Sequence, residues 1–152
     1  MKDQIIDAEV PLVELILVAK LKHIEGYSKK RALYLANKIQ KEKVWNKPLC
    51  VDKNNFLIMD GQHRMEAAKL LGLKYVPCWL LNYADVEIWS LRSQYEFDTH
   101  IVVSRALLDQ PYPYKTVKHK FPKNIPRINI PLQELQSNNA KTKNLPKRYL
   151  CV

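Results

Sequence analysis

The stretch from Phe56 to Gly72 constrains the fold more than any other part of the chain. An apolar run from Phe56 to Met59 reads as a buried strand. It breaks into Asp60-Gly61, continues as Gln62-His63-Arg64, and becomes an alanine- and leucine-rich segment closed by Gly72. That pattern predicts a strand, a tight turn and a helix with a glycine C-cap. Asp60 is placed to be the N-cap, and the helix start offers free backbone N–H groups at a positive dipole end. His63 and Arg64 fall in the first turn, where a cation gains nothing from the dipole. An anion such as phosphate, held by the amides and these two side chains, would resolve that conflict. A plainer reading stays open, in which Asp60-Gly61 only turns the chain and both cations are solvated.

The rest of the chain supports a small α/β (α+β) domain, a small mixed sheet with helices. Val10 to Leu21 is nearly continuous in apolar residues and reads as a buried strand after Pro11. Ser28 caps a helix with Ala32, Leu35, Ala36 and Ile39 at helical spacing. Pro48 to Asp52 is a second strand, and Asn54-Asn55 a hairpin turn into the strand that opens the central stretch. Tyr75 to Leu81 is a further strand, with Pro77 suggesting an edge or irregular position. A helix is expected over His100 to Gln110. With 152 residues, 47% of them apolar and 26% charged, the chain suits one soluble domain with its own core. No apolar run approaches the ~20 residues of a membrane span, and no secretory signal is read at the N-terminus. Cys50, Cys78 and Cys151 show no Cys-x-x-Cys spacing; the first two, in strands, read as buried thiols, and a cytoplasmic location is expected.

Charge is unevenly spread. Residues 111–152 carry nine Lys/Arg against the single acid Glu134, so most of the net charge of +10 lies there. Such a segment could meet nucleic acid, gather the phosphates of a small ligand, or be a solvated tail. For residues 137–152 the tail reading is adopted, with the domain spanning residues 1–136.

The central stretch resembles the nucleotide-binding box of the ParB/sulfiredoxin superfamily, whose members carry Gly-x-x-Arg or Asp-Gly-His-His-Arg at a strand-to-helix junction. Here it stands as Asp60-Gly61-Gln62-His63-Arg64. Residues from about Lys20 to Tyr83 look like one branch in particular, the free-serine kinases, which phosphorylate L-serine to O-phosphoserine. The matching features are an acidic loop before the first helix, Trp45-Asn46-Lys47-Pro48 after it, the box, and a Val76-Pro77 strand running to Asn82-Tyr83. Aligned through Trp45, the two glutamates of that loop fall at Glu25 and Gly26, so one survives. A second segment, Pro113-Tyr114-Lys115-Thr116-Val117-Lys118-His119, resembles the Pro-x-Lys-Thr-Thr-Arg-His element of these kinases. Lys118 there replaces an arginine, turning a bidentate grip into a point charge.

The resemblance implies a phosphotransferase using ATP or ADP with Mg²⁺, and L-serine as the small-molecule substrate. A serine hydroxyl is a weak nucleophile, so a carboxylate must orient it and take its proton. Glu25 is the expected base and Asp60 an orienting or Mg²⁺-binding carboxylate. Gly61, Gln62, His63 and Arg64 would meet the nucleotide phosphates. Lys118, His119 and Thr116 would hold the substrate, with Trp89 beside it. No Gly-x-x-x-x-Gly-Lys loop and no protein-kinase motif set occurs. A ParB-like DNA-binding switch would need a helix-turn-helix domain after the box, which the proline-rich region 84–152 does not offer, so nucleic acid is a disfavoured partner. Sulfiredoxin chemistry needs a cysteine where Gln62 stands. The remaining alternative is a ParB-like nucleotide-binding regulatory module or nuclease without kinase activity.

Overall fold

The computed structural model describes residues 11–90, 92, 94, 98–136, 145 and 147–151. Its centre is a four-stranded sheet of β1 (Val13–Leu17), β5 (Tyr75–Leu81), β3 (Leu49–Asp52) and β4 (Ile58–Asp60), in that spatial order. β1 and β4 run antiparallel to their neighbours, whereas β3 and β5 are parallel. The crossover between those parallel strands is the hairpin strand β4 followed by helix α2 (Gln62–Leu70). All four residues of β3 are buried, which is why this strand reads as a continuous apolar run with one acid, Asp52. Asp52 is buried because its carboxylate accepts the Asn54 and Asn55 amides at 3.4 and 3.0 Å, closing the expected hairpin turn.

Helix α1 (Lys29–Glu42) packs across α2. Its Ser28 N-cap accepts the Arg31 amide at 3.2 Å, and Ala32, Ala36 and Ile39 form the buried stripe. Trp45, in the short strand β2 (Val44–Trp45), is 1% exposed and donates its indole N–H to the Lys47 carbonyl, a packing role. Gly72 follows the C-cap Leu71 of α2 with φ +69°, the left-handed conformation favoured just past a helix end.

Three departures from the sequence reading have physical causes. The first apolar run forms only a five-residue strand before turning through a single helical turn at Val18–Lys20. Pro77 lies in an inner strand, not at an edge. Leu80 donates its N–H toward the β1 side, to Leu12 O, so by alternation the Pro77 nitrogen faces β3. Pairing with β3 begins only at Cys78, and no ladder bond is lost. The third departure concerns residues 137–152, whose described part is docked. Leu145 is buried and donates its N–H to Val13 O at 3.1 Å, and β10 (Leu150–Cys151) pairs with β8 (Arg127–Ile128). Isolated anchors of this kind leave no periodic signature to read.

The remaining elements are β6 (Glu87–Ser90), α3 (Thr99–Leu107), β7 (Val117–Lys120), β9 (Ile130–Pro131) and α4 (Leu132–Gln136). The β6–β7 ladder and the β2–β9 pair carry the C-terminal third back over the sheet's end, next to the start of α2. α3 ends earlier than expected, at Leu107, and Asp98 is its cap.

Gly61, and not Asp60, is the N-cap of α2. Asp60 is still paired with Cys50 in β4, so the turn falls one residue later. Gly61 sits at φ +113°, and a Cβ built there would stand 2.9 Å from Leu49 Cγ. Gly61→Ala should therefore lose roughly 2–4 kcal/mol of stability, from backbone strain plus overpacking. Urea denaturation would measure it, and because Leu49 is the residue that the new Cβ meets, Gly61→Ala and Leu49→Ala together should cost less than the sum of the two single losses.

Candidate active site

The loop carrying Glu25 is positioned by backbone pairing across the chain. Tyr112 donates its N–H to Ile24 O at 2.9 Å, and Gly26 donates to Tyr112 O at 2.8 Å. This docks Glu25 on the turn leading into β7, where its Oε1 accepts the Thr116 amide at 3.1 Å and the Val117 amide at 2.8 Å. Both bonds fall on one oxygen, leaving Oε2 outside this pair of contacts. Burial raises the Glu25 pKa above its ordinary value, outweighing the amides and the nearby Lys118 charge that lower it. Gly26 stands where the second glutamate of the family pattern aligns, and a Cβ there would be 3.3 Å from the Tyr114 amide nitrogen.

Facing this loop, the start of α2 presents Gly61 to Arg64. Together they line a cavity of about 430 Å³ that also receives Glu25, Asp60, Lys118 and His119. Four cationic side chains (Arg31, Lys47, Arg64 and Lys118) meet two carboxylates (Glu25 and Asp60), so the wall is positive on balance. Lys47 Nζ lies 3.4 Å from Asp60 Oδ2.

Individual roles differ from the sequence reading in several places. The Gln62 side chain turns inward: its Nε2 donates to Ile58 O at 2.7 Å and its Oε1 meets His23 Nδ1. Only its backbone is left to serve a phosphate. His23 Nε2 lies 2.7 Å from Glu66 Oε2, and Lys69 joins the same carboxylate at 3.0 Å. His63 Nε2 accepts the Ser28 amide at 3.0 Å, so its proton belongs on Nδ1. Burial first, then Arg31 and His23, lower its pKa. His63 is thus a neutral donor and not the expected cation.

His119 is neutral too. Burial pushes its imidazole down to about 4, and its Nε2 shares a 3.0 Å hydrogen bond with the Tyr83 hydroxyl. Between its ordinary 6.5 and about 4 the unfolded chain binds the extra proton more readily. Stability from this group is therefore full above about pH 6.5 and lost as pH falls toward about 4. Between pH 7 and pH 5 it should cost up to about 2 kcal/mol in urea unfolding, a difference that His119→Gln removes.

Thr116 is fully buried, and its hydroxyl donates to Pro113 O at 2.6 Å. It contributes its amide to Glu25 in place of the expected hydroxyl to substrate. Trp89 pairs with Lys118 across the β6–β7 ladder but is 46% exposed and does not line the cavity. Arg31 and Lys47 were missed by motif reading. Arg31 looks like one more solvated cation in a helix of lysines, although its place in the first turn puts it beside the box. Among the described residues no group of three or more His, Cys, Asp or Glu could hold a metal ion. Asp60 alone still suits Mg²⁺, which takes one or two carboxylates and completes its shell with water and phosphate oxygens.

Fold and cavity together define a small α/β domain with a helix start, four cations and two partly buried carboxylates around one cavity. No family model matches the chain. An ATP-dependent L-serine kinase from Desulfurococcus mucosus is 33% identical over 78 residues, which is 49% of this chain and 31% of that protein. The match thus spans under a third of that relative's length. A free serine kinase in complex with AMP superposes with a TM-score of 0.76 at 15% identity, covering 84% of this chain and 95% of that one. A variant free serine kinase in complex with ADP gives a TM-score of 0.75 at 14% identity, covering 84% and 97%. This chain has the free-serine-kinase fold.

Proposed function

We propose that the protein is a small-molecule kinase that moves the terminal phosphoryl group of ATP or ADP to the hydroxyl of free L-serine, giving O-phosphoserine. The observation that carries this reading is the half-buried Glu25 carboxylate, opening onto the same cavity as the α2 start and Arg64. A desolvated carboxylate held on one oxygen by two amides has its direction set and its basicity raised. The serine oxygen attacks the terminal phosphorus, and a new O–P bond forms as the bridging O–P bond to the nucleotide breaks. The bond's electron pair leaves with the shortened nucleotide, and the hydroxyl proton passes to Glu25.

The α2 amides, His63 Nδ1–H and Arg64 receive the phosphates and stabilise charge spread over the transferring group. Asp60 would hold Mg²⁺ together with the donor phosphates, the ion neutralising their charge. Lys118 and Arg31 are the cations left to meet the serine carboxylate. Nucleotide donors and unpaired thiols both fit the cytoplasm, and no described helix is long and apolar enough to cross a membrane.

The test is ³¹P NMR of the purified chain with Mg²⁺, ATP or ADP, and a panel of hydroxyl-bearing small molecules. A phosphomonoester that grows with serine, matched by loss of donor, is the expected result. Nucleotide binding without transfer to any hydroxyl would replace the kinase with a nucleotide-sensing module.

A further inference from the structure

The loop around Glu25 is strapped to two different bodies. Ile24, Glu25 and Gly26 bond to the C-terminal segment through Tyr112, Thr116 and Val117, whereas His23 and Ser28 bond to α2. His23 Nδ1 meets Gln62 Oε1, and His23 Nε2 lies 2.7 Å from Glu66 Oε2. Gln62 gives its side-chain N–H to Ile58 O, so its oxygen faces the ring as an acceptor. Both ring nitrogens therefore meet acceptors, and the ring satisfies both only as an imidazolium. The His23 and Glu66 side chains are 17% and 15% exposed, so this charged pair is shielded from the solvent that weakens surface ion pairs. The Tyr27 ring stacks on His23 at a centroid distance of 4.9 Å and holds the plane of the imidazole.

We infer that His23 is a positioning residue that sets the reach between the base Glu25 and the start of α2. The inference rests on the kinase reading of that site. The C-terminal segment holds the Glu25 carboxylate, and the α2 start is the proposed phosphate site. The gap that the serine hydroxyl must bridge is therefore the gap between those two bodies, and residues 23–28 span it. Gly61 alone joins α2 to β4. The bonds from His23 reach Gln62 and Glu66, one turn apart on the same helix face, and so fix the tilt of α2 about that junction. Gln62, where the box has a histidine, supplies the donor to Ile58 O and the acceptor to His23 at once. His23 does not line the cavity, so its effect on the rate passes through Glu25 and the α2 start. A misplacement of about 1 Å between reacting groups can cost about a hundredfold in rate.

Three substitutions grade the clamp. The amide nitrogen of His23→Asn stands near the Nδ1 position and keeps the bond to Gln62. That of His23→Gln stands near Nε2 and keeps the bond to Glu66. His23→Phe keeps only the stack on Tyr27. Lys69 stays 3.0 Å from Glu66, so none of the three leaves that carboxylate unpaired. Phosphoryl transfer by the full chain is followed with ³²P-labelled donor, ADP affinity by calorimetry and folding by urea denaturation. His23→Phe should lower kcat about ten- to a hundredfold, with ADP affinity and the KM for serine each within about threefold. The two amide variants should lose less, and they carry the test should His23→Phe fail to fold. Placed in Glu25→Gln, the same substitutions should lower the residual rate by less than about threefold, because the base that they position is gone. Equal loss in both backgrounds would mark a merely structural role and overturn the inference while sparing the kinase reading. Undiminished kcat in the variants, or ADP affinity falling in step with the rate, would also overturn it. Absence of phosphoryl transfer by the wild-type chain would overturn both.

Discussion

Glu25→Gln should lower phosphoryl transfer by about 10²–10⁴-fold, the usual contribution of a positioned general base. The substitution keeps the carbonyl oxygen that accepts the Thr116 and Val117 amides, so the loop should stay docked. What it removes is proton acceptance. Nucleotide affinity should stay within about threefold, under ~1 kcal/mol, because the proposed phosphate site lies across the cavity at the α2 start. Stability gives an independent control. Because burial raises the Glu25 pKa in the folded protein, its charge opposes folding once pH exceeds that value. At neutral pH the glutamine variant should therefore unfold at no lower urea concentration than wild type. The wild-type rate should fall as pH drops through the Glu25 pKa, and this acid limb should lie above the ordinary carboxylate value of 4.5. Full turnover in Glu25→Gln would remove the glutamate from the chemistry whatever the fold.

Local chemistry explains which parts of this site could be read from the sequence. Ser28, Gly72 and the Tyr75–Leu81 strand are set by caps, φ preferences and runs of residues that act within a few positions, and each appears as expected. Glu25 and Lys118 share a cavity although far apart in sequence, because the Ile24–Tyr112 and Gly26–Tyr112 bonds join their segments. Only the family motifs pointed to that meeting. The roles that motif reading misassigned depend on which way a side chain turns. Gln62 turns toward His23 and Ile58 O, and Thr116 toward Pro113 O. The histidines show the same limit in protonation. A motif histidine suggests a cation, yet burial and an amide on Nε2 keep His63 neutral, and burial does so for His119.

That reassignment concentrates the proposed phosphate recognition on Arg64, and Arg64→Ala should weaken ADP binding roughly ten- to a hundredfold. Burial acts against the Arg64 charge more strongly than Asp60 and Glu42 support it. The guanidinium stays protonated at neutral pH, so a partly desolvated cation there favours an anion. Arg64→Lys should recover only part of the loss, since an ammonium cannot reproduce the planar fork. His63→Ala should cost less, about two- to tenfold, because it removes one neutral donor and frees the Ser28 amide. Asp60→Asn divides the electrostatics differently. Without Mg²⁺ it removes a carboxylate from beside the phosphates and releases Lys47, so ADP should bind at least as tightly as to wild type. With Mg²⁺ the variant should gain less affinity than wild type, having lost the carboxylate proposed to hold the ion. Calorimetry of all four variants with and without Mg²⁺ decides the matter. Unchanged affinity in Arg64→Ala would mean that the phosphates do not sit at the start of α2.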